Sequence, residues 1–321
     1  MAEFFEMYYG EPGSGKSKAA ARIAAKIYNE TGKIARIAIG DGSAKTYQGL
    51  VDAKAAEVID FSIRDFPLTT IKRLTEGWWP LTDDLGDPLA PLMPPIPSIS
   101  DDIGITIFEG ASMAGLYILG DRKGGLAERS GRGEKIGQDS AIQICDDLGP
   151  GINNGKHYYG GNPLAHFNVA QRKMVTYIDA SRALPGWVIW TAHEKSGEDN
   201  ISQEKIVGPE VAGKALSSSL ARQYHNTLHF VLATKVGNKT KDDVTGKAVG
   251  NVDYEYRIYT RDHYDPDGLV FVKFRAVNRC DVPSMMPNFL TGKEVGDNIL
   301  NFYSLMAEAQ EKNKNAWITR K

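Results

Sequence analysis

Cysteine is nearly missing from this chain: its 321 residues include two, Cys145 and Cys280. Standing so far apart, they give neither the spacing of a metal site nor a disulfide framework, and a reducing, cytoplasmic compartment is the expectation. An excess of charge of either sign is missing too: 38 Lys and Arg stand against 40 Asp and Glu, a formal net charge of -2. That excludes a bulk basic affinity for nucleic acid and leaves a local basic patch open. No window reaches the roughly 18 apolar residues of a membrane-spanning helix, so no membrane partner is expected. The opening segment MAEFFEMYYG lacks the basic start and long apolar core of a secretory signal, and none is expected. What the chain does have, 42% hydrophobic and 24% charged residues, suits a folded protein. Its length suits one large α/β domain, with or without insertions.

Residues 4–9 form a short aromatic run that reads as a strand, and a glycine-rich turn follows. Residues 17–29 (SKAAARIAAKIYN) are alanine-rich with Ile23 and Ile27 at helical spacing. Further strands are predicted at residues 34–39 (IARIAI), 57–61 (EVIDF), 103–108 (IGITIF), 187–191 (WVIWT) and 227–233 (TLHFVLA). Two more are expected at residues 254–259 and 270–274, and helices at 164–184, 213–226 and 300–312. Strand, loop, helix and strand in this order open a doubly wound parallel sheet. Residues 88–97 hold five prolines and read as a stiff surface excursion or linker. Residues 120–162, rich in glycine, read as a long flexible insertion.

Between the first strand and the first helix lies Gly10-Glu11-Pro12-Gly13-Ser14-Gly15-Lys16-Ser17, a full match to G-x-x-x-x-G-K-[ST]. The chemistry asks for these types. Backbone N–H groups must turn inward around phosphate oxygens, and glycines permit that approach. The helix beginning near Lys16 aims its positive end at the same place. Lys16 is expected to reach the β- and γ-phosphates of ATP, and Ser17 to ligate Mg²⁺. A glycine turn without a ligand is the bland alternative, and the strand-to-helix context argues against it.

A carboxylate is expected beside the magnesium, at the end of an apolar strand. Glu109 closes IGITIFE and has that form, with a solvent-facing strand end as its alternative. Asp101 and Asp102 precede the strand and compete weakly. His193 ends the strand WVIWTA and suits a γ-phosphate sensor, since it can donate a hydrogen bond. The pair His193-Glu194 lacks the later His of a zinc-protease helix and is not read as a metal site. His225 and His229, four apart, read as structural.

The segments GEPGSGKS, IARIAIGDGS, ITIFEGAS, VIWTAHEKSG and GPEVAGKAL, spread over residues 1–235, resemble the RecA-like ATPases. More narrowly, they resemble small phage-encoded RecA-like proteins related to single-strand annealing factors. The resemblance implies a RecA-like P-loop NTPase fold of the α/β class: a mostly parallel central sheet flanked by helices, with the long glycine-rich insertion. One domain would span residues 1–321, with C-terminal strands and a closing helix in 236–321. It also implies Mg-ATP hydrolysis coupled to single-stranded DNA in recombination or replication, in a homo-oligomer, within a bacterial or phage-infected cell. Asp41 falls where the family carries its catalytic carboxylate, although RecA has Glu there, and a turn residue in Gly40-Asp41-Gly42 is the alternative. Glu109 departs from the family's Asp, so the carboxylate roles stay divided between Glu109 and Asp41. Lys273 and Arg275 alternate on one strand and face one side, where the family places a pair reaching a neighbouring subunit's nucleotide. Arg279 is a third candidate, and solvated edge-strand charges are the alternative.

Two loops carry DNA in that family. The first falls in the insertion, where residues 121–138 have Arg122, Lys123, Arg129, Arg132 and Lys135 against three acids, a net of +2. Tyr158 and Tyr159 would offer stacking surfaces there. The second falls at residues 195–211 and is roughly neutral. Two other classes fit the loop motif: a packaging or helicase-type motor, which usually shows Asp-Glu where this chain has Glu109-Gly110, and a nucleotide-binding structural component of a larger assembly.

Overall fold

The computed structural model describes residues 3–39, 43–60, 101–119, 151–153, 156–158, 163–198, 205–211, 220–241, 248–260, 263–264, 271–274, 277–278 and 289–318. The proline-rich segment 88–97, Asp41, Arg275, Arg279 and the basic stretch 121–138 lie outside them. The chain divides into two compact units, one of Met1–Phe5, Ala24–Trp190 and Val211–Ser219, the other of Glu6–Ile23, Thr191–Glu210 and Leu220–Lys321.

The first unit is built on parallel strands: β2 (Ile34–Ile39), β3 (Ala56–Asp60), β4 (Ile103–Glu109) and the start of β7 (Trp187–Ala192). Their order is β7-β4-β2-β3, and each pairing is parallel. β4 is buried along its whole length, which is why it reads as a continuous apolar run and not as an alternating one. Gly104 lets the second half of α1 (Lys16–Thr31) lie close: a Cβ there would stand 2.6 Å from Cγ2 of Ile27. After the short α2 (Gln48–Asp52), helices α3 (Ala111–Leu119) and α4 (Pro163–Ser181) pack on each other. Trp190 anchors this layer. Its ring stacks on Phe108 at 4.3 Å, and its Nε1 donates to Ser181 Oγ at 3.0 Å. An indole wholly buried contributes about 2–3 kcal/mol by burial, provided its N–H is satisfied as it is here.

The second unit joins β1 (Phe4–Gly10) in parallel to β10 (Asn226–Lys241). Antiparallel pairings then add β11 (Ala248–Tyr259), β14 (Val277–Asn278) and β15 (Phe289–Gly292). A smaller sheet has the order β12-β13-β9-β8, from His263–Tyr264, Phe271–Phe274, Lys205–Pro209 and Glu194–Glu198. Helix α5 (Val295–Ile318) buries Val295, Ile299, Phe302, Tyr303 and Met306, residues three and four apart that make one apolar face. Tyr303 shares a hydrogen bond of 2.8 Å with Tyr8 of β1.

The α/β class with its parallel strand pairings is thus the architecture present. Three local expectations differ. Residues 220–223 form a 3-10 turn and Asn226 already belongs to β10, where a helix was expected over 213–226. Asn226 Nδ2 donates to Glu6 at 2.8 Å, a strand-to-strand partner that local periodicity does not encode. Residues 195–211, expected as a loop, supply most of the β8–β9 hairpin. Within 120–162, β5 (Gly151–Asn153) and β6 (Lys156–Tyr158) form a small antiparallel hairpin. Among the described residues, no helix is long and apolar enough to cross a membrane.

Candidate functional site

The loop Gly10–Ser17 leaves β1 and enters α1, as the motif requires. Gly13 and Gly15 take φ of 82° and 95°, where a side chain would strain the backbone. At Gly10 a Cβ would collide with the carbonyl oxygen of Phe230 on β10. Ser14 N donates to Glu11 O at 3.2 Å, closing the turn. Lys16 Nζ donates to the carbonyls of Gly10 and Glu11, both at 2.8 Å, and stands 3.4 Å from Ser14 Oγ. Its ammonium thus ties the end of the loop to its beginning. Ser14 and Lys16 are buried, while Glu11 and Pro12 are exposed. No acidic residue occupies the first turn of α1, so nothing there offsets the positive end of the helix. Ser17 sits half-buried in that turn. A strand-end glycine turn, a lysine and a helix N-terminus can hold a polyphosphate.

The loop has a wall from far along the chain. Val295, at the start of α5, places Cγ1 3.0 Å from where a Gly15 side chain would begin. Lys18 binds Glu294 at 2.6 Å, and Arg22 lies 3.7 Å from Asp297. Both pairs are half exposed, so they contribute register more than stability.

Beside the loop lies a group that its spacing raised and that was expected to be structural. His229 of β10 stands opposite Tyr9, the residue before Gly10, and stacks on its ring at 4.7 Å. It is 2% exposed. Its Nε2 lies 2.8 Å from Glu194 Oε2. Burial pushes the imidazole below its usual range, the nearby Lys16 adds to that, and the bond to Glu194 opposes it. A carboxylate only accepts, so the neutral ring carries its proton on Nε2 and donates it. His193 precedes Glu194, between β7 and β8. It is half-buried, and its carbonyl accepts from Glu210 N at 2.7 Å.

In the first unit, Glu109 ends β4 and is 3% exposed, so the solvent-facing alternative is wrong. The buried Tyr47 hydroxyl donates to its Oε1. Tyr47 ends the 3-10 turn Ser43–Tyr47 that follows β2, and nothing local in the sequence marks it. Asp101 and Asp102 are exposed at the other end of the strand. Lys273 lies on β13 in parallel register with Ile206 of β9. Tyr158 is the last residue of β6.

No protein-family model matches the chain, and no curated protein does. Among solved structures, the flagellar accessory protein FlaH from Methanocaldococcus jannaschii aligns over 90% of this chain and 84% of its own, at 8% identity and a TM-score of 0.36. The KaiC-like protein PH0186 from Pyrococcus horikoshii OT3 aligns over 80% and 77%, at 9% identity and a TM-score of 0.31. Scores this low carry no functional weight, which rests instead on the loop and its surroundings.

Proposed function

We propose that this chain is a RecA-like P-loop ATPase that binds Mg-ATP through Gly10–Ser17 and hydrolyses it in work on single-stranded DNA, of the kind phage-type recombination or replication requires. The carrying observation is the loop itself: glycine-only backbone at Gly13 and Gly15, Gly10 pressed against β10, and Lys16 placed where its ammonium reaches the loop's interior. The strand order β7-β4-β2-β3, with the acid-ending strand β4 between β2 and β7, supports the RecA-like reading.

The roles follow from chemistry. The amides of Gly15 to Ser17 donate to phosphate oxygens, and Lys16 leaves the carbonyls of Gly10 and Glu11 for the β- and γ-phosphates. Magnesium, when bound, neutralises developing charge on the phosphates. Ser17 is its proposed hydroxyl ligand. Of the two carboxylates, Glu109 is the better supported for the metal shell or for orienting water, being buried and held by Tyr47. Asp41 is the alternative base. His193 reads the γ-phosphate, and Lys273 and Arg275 act across a contact between copies of the chain.

The test is ATP hydrolysis by wild type and Lys16→Ala, with and without single-stranded DNA. Turnover that depends on Lys16 and rises with DNA supports the reading. DNA that neither binds nor changes the rate removes the recombination role and leaves the ATPase. Sizing with and without ATP tests the contact between copies, and a strict monomer in both conditions sinks it.

A further inference from the structure

Glu194 and His229 have no role in the scheme above, yet they form a buried polar contact at the edge of the phosphate loop. Glu194 reaches His229 from the first residue of β8, and His229 lies across from Tyr9 on the strand that delivers Gly10. The charged groups that His229 senses are Glu194, Lys16 and Glu11, and the rings against it are Tyr9 and Tyr259. Lys16 and Glu11 belong to the loop. The other flank of the same segment is tied as well: the His193 carbonyl accepts from Glu210, and Glu194 pairs with Pro209.

We propose that Glu194 and His229 are a positioning pair, which fixes the backbone of His193 against the strand carrying the phosphate loop. The inference rests on the ATPase reading and deepens it by naming what aims the γ-phosphate sensor. Three physical points carry it. The contact joins segments 35 residues apart in sequence, so it sets tertiary and not local geometry. The ring is held on two sides, by stacking on Tyr9 and by the bond from Nε2 to Glu194. Glu194 directly follows His193, so a shift of its carboxylate displaces the peptide before it. The pair acts through hydrogen bonding, not through a transferred proton. Gln at 194 keeps an acceptor for Nε2, whereas Ala does not.

The experiment measures kcat and KM for ATP in wild type, Glu194→Gln, Glu194→Ala, His229→Phe and the Glu194→Ala/His229→Phe double variant, with Lys16→Ala as control. Glu194→Ala and His229→Phe should each lower kcat on the order of tenfold, with KM within about twofold. Glu194→Gln should retain most of the rate. The double variant should be no slower than the slower single one, as expected for residues acting as a unit. Glu194 is partly exposed, and Glu194→Gln folds on that ground even if His229→Phe does not. If Glu194→Gln is as slow as Glu194→Ala, Glu194 acts by its charge and the positioning role is wrong. Singles within twofold of wild type, or losses that multiply in the double variant, also overturn it. Turnover in wild type that Lys16→Ala leaves unchanged refutes the ATPase reading, and the pair falls with it. Lys16-dependent turnover with indifferent pair variants refutes the pair by itself.

Discussion

Glu6→Gln should stabilise the folded chain progressively as pH rises from 5 to 8, and change it little at pH 4. Glu6 is on β1 with no exposed surface. Burial pushes its carboxyl from 4.5 up to about 8, against the opposing pull of hydrogen bonds from Asn226 and Tyr303. A raised carboxyl pKa means that the folded chain holds a proton the unfolded chain has released. Stability is therefore intact below 4.5, falls as pH climbs through the window to about 8, and is level above it. The slope inside the window is about 1.4 kcal/mol per pH unit, and the loss at pH 8 totals about 4 kcal/mol. That is a large part of an ordinary folding free energy of roughly 5–15 kcal/mol. Glutamine has the same shape and no ionisation. Its oxygen still accepts from Asn226 Nδ2, and its amide can donate to Asn226 Oδ1, which has no partner among the described residues. Urea denaturation of both proteins at half-unit steps from pH 4 to 9 gives the difference directly, and titrations elsewhere cancel in it. Two stability curves that run parallel across that range would show that Glu6 ionises normally in the folded chain, and the reasoning from burial would be refuted.

Three further outcomes are expected. Gly10→Ala, which drives a methyl into the Phe230 carbonyl, should destabilise the chain by about 2–4 kcal/mol in thermal or chemical melts; a loss under 1 kcal/mol would mean that β1 and β10 part easily there. Tyr47→Phe, which deprives Glu109 of a buried donor, should lower the rate of the proposed ATP hydrolysis about tenfold while ATP affinity by fluorescent-nucleotide titration stays within twofold; an unchanged rate would remove Tyr47 from the proposed site. Tyr8→Phe and Tyr303→Phe, measured singly and together in denaturant, should show a coupling of about 1 kcal/mol for their shared hydrogen bond, and strict additivity would deny it.

Local chemistry is what the sequence reveals most clearly here. The aromatic run of β1, the glycine loop and the alanine-rich α1 each carry their own signal, and the structure keeps their limits within about two residues. β4 and β7 were legible because a strand buried on both faces reads as a nearly continuous apolar run, and β2 reads the same way apart from Arg36. Pairings across long separations were not legible. Tyr47 meets Glu109 across 62 residues and Glu194 meets His229 across 35, and no period or motif links either pair. His229, read as structural because it and His225 span a predicted helix end and strand, is buried because its strand is, and its polar partner comes from another sheet. The hairpin of β8 and β9 was missed because its polar, glycine-containing strands look like loop until they find each other.

Val295 against Gly15 has a consequence for how the protein is made. The two residues are far apart in sequence, so the ribosome delivers Gly10–Ser17 long before the helix that walls it. At 5–20 residues per second the interval is on the order of 15 to 60 seconds. Throughout it, the growing chain carries the whole motif without Val295 against Gly15. A chain stopped before Glu294 would keep that unfinished loop permanently, intact in its letters and missing the surface that closes it.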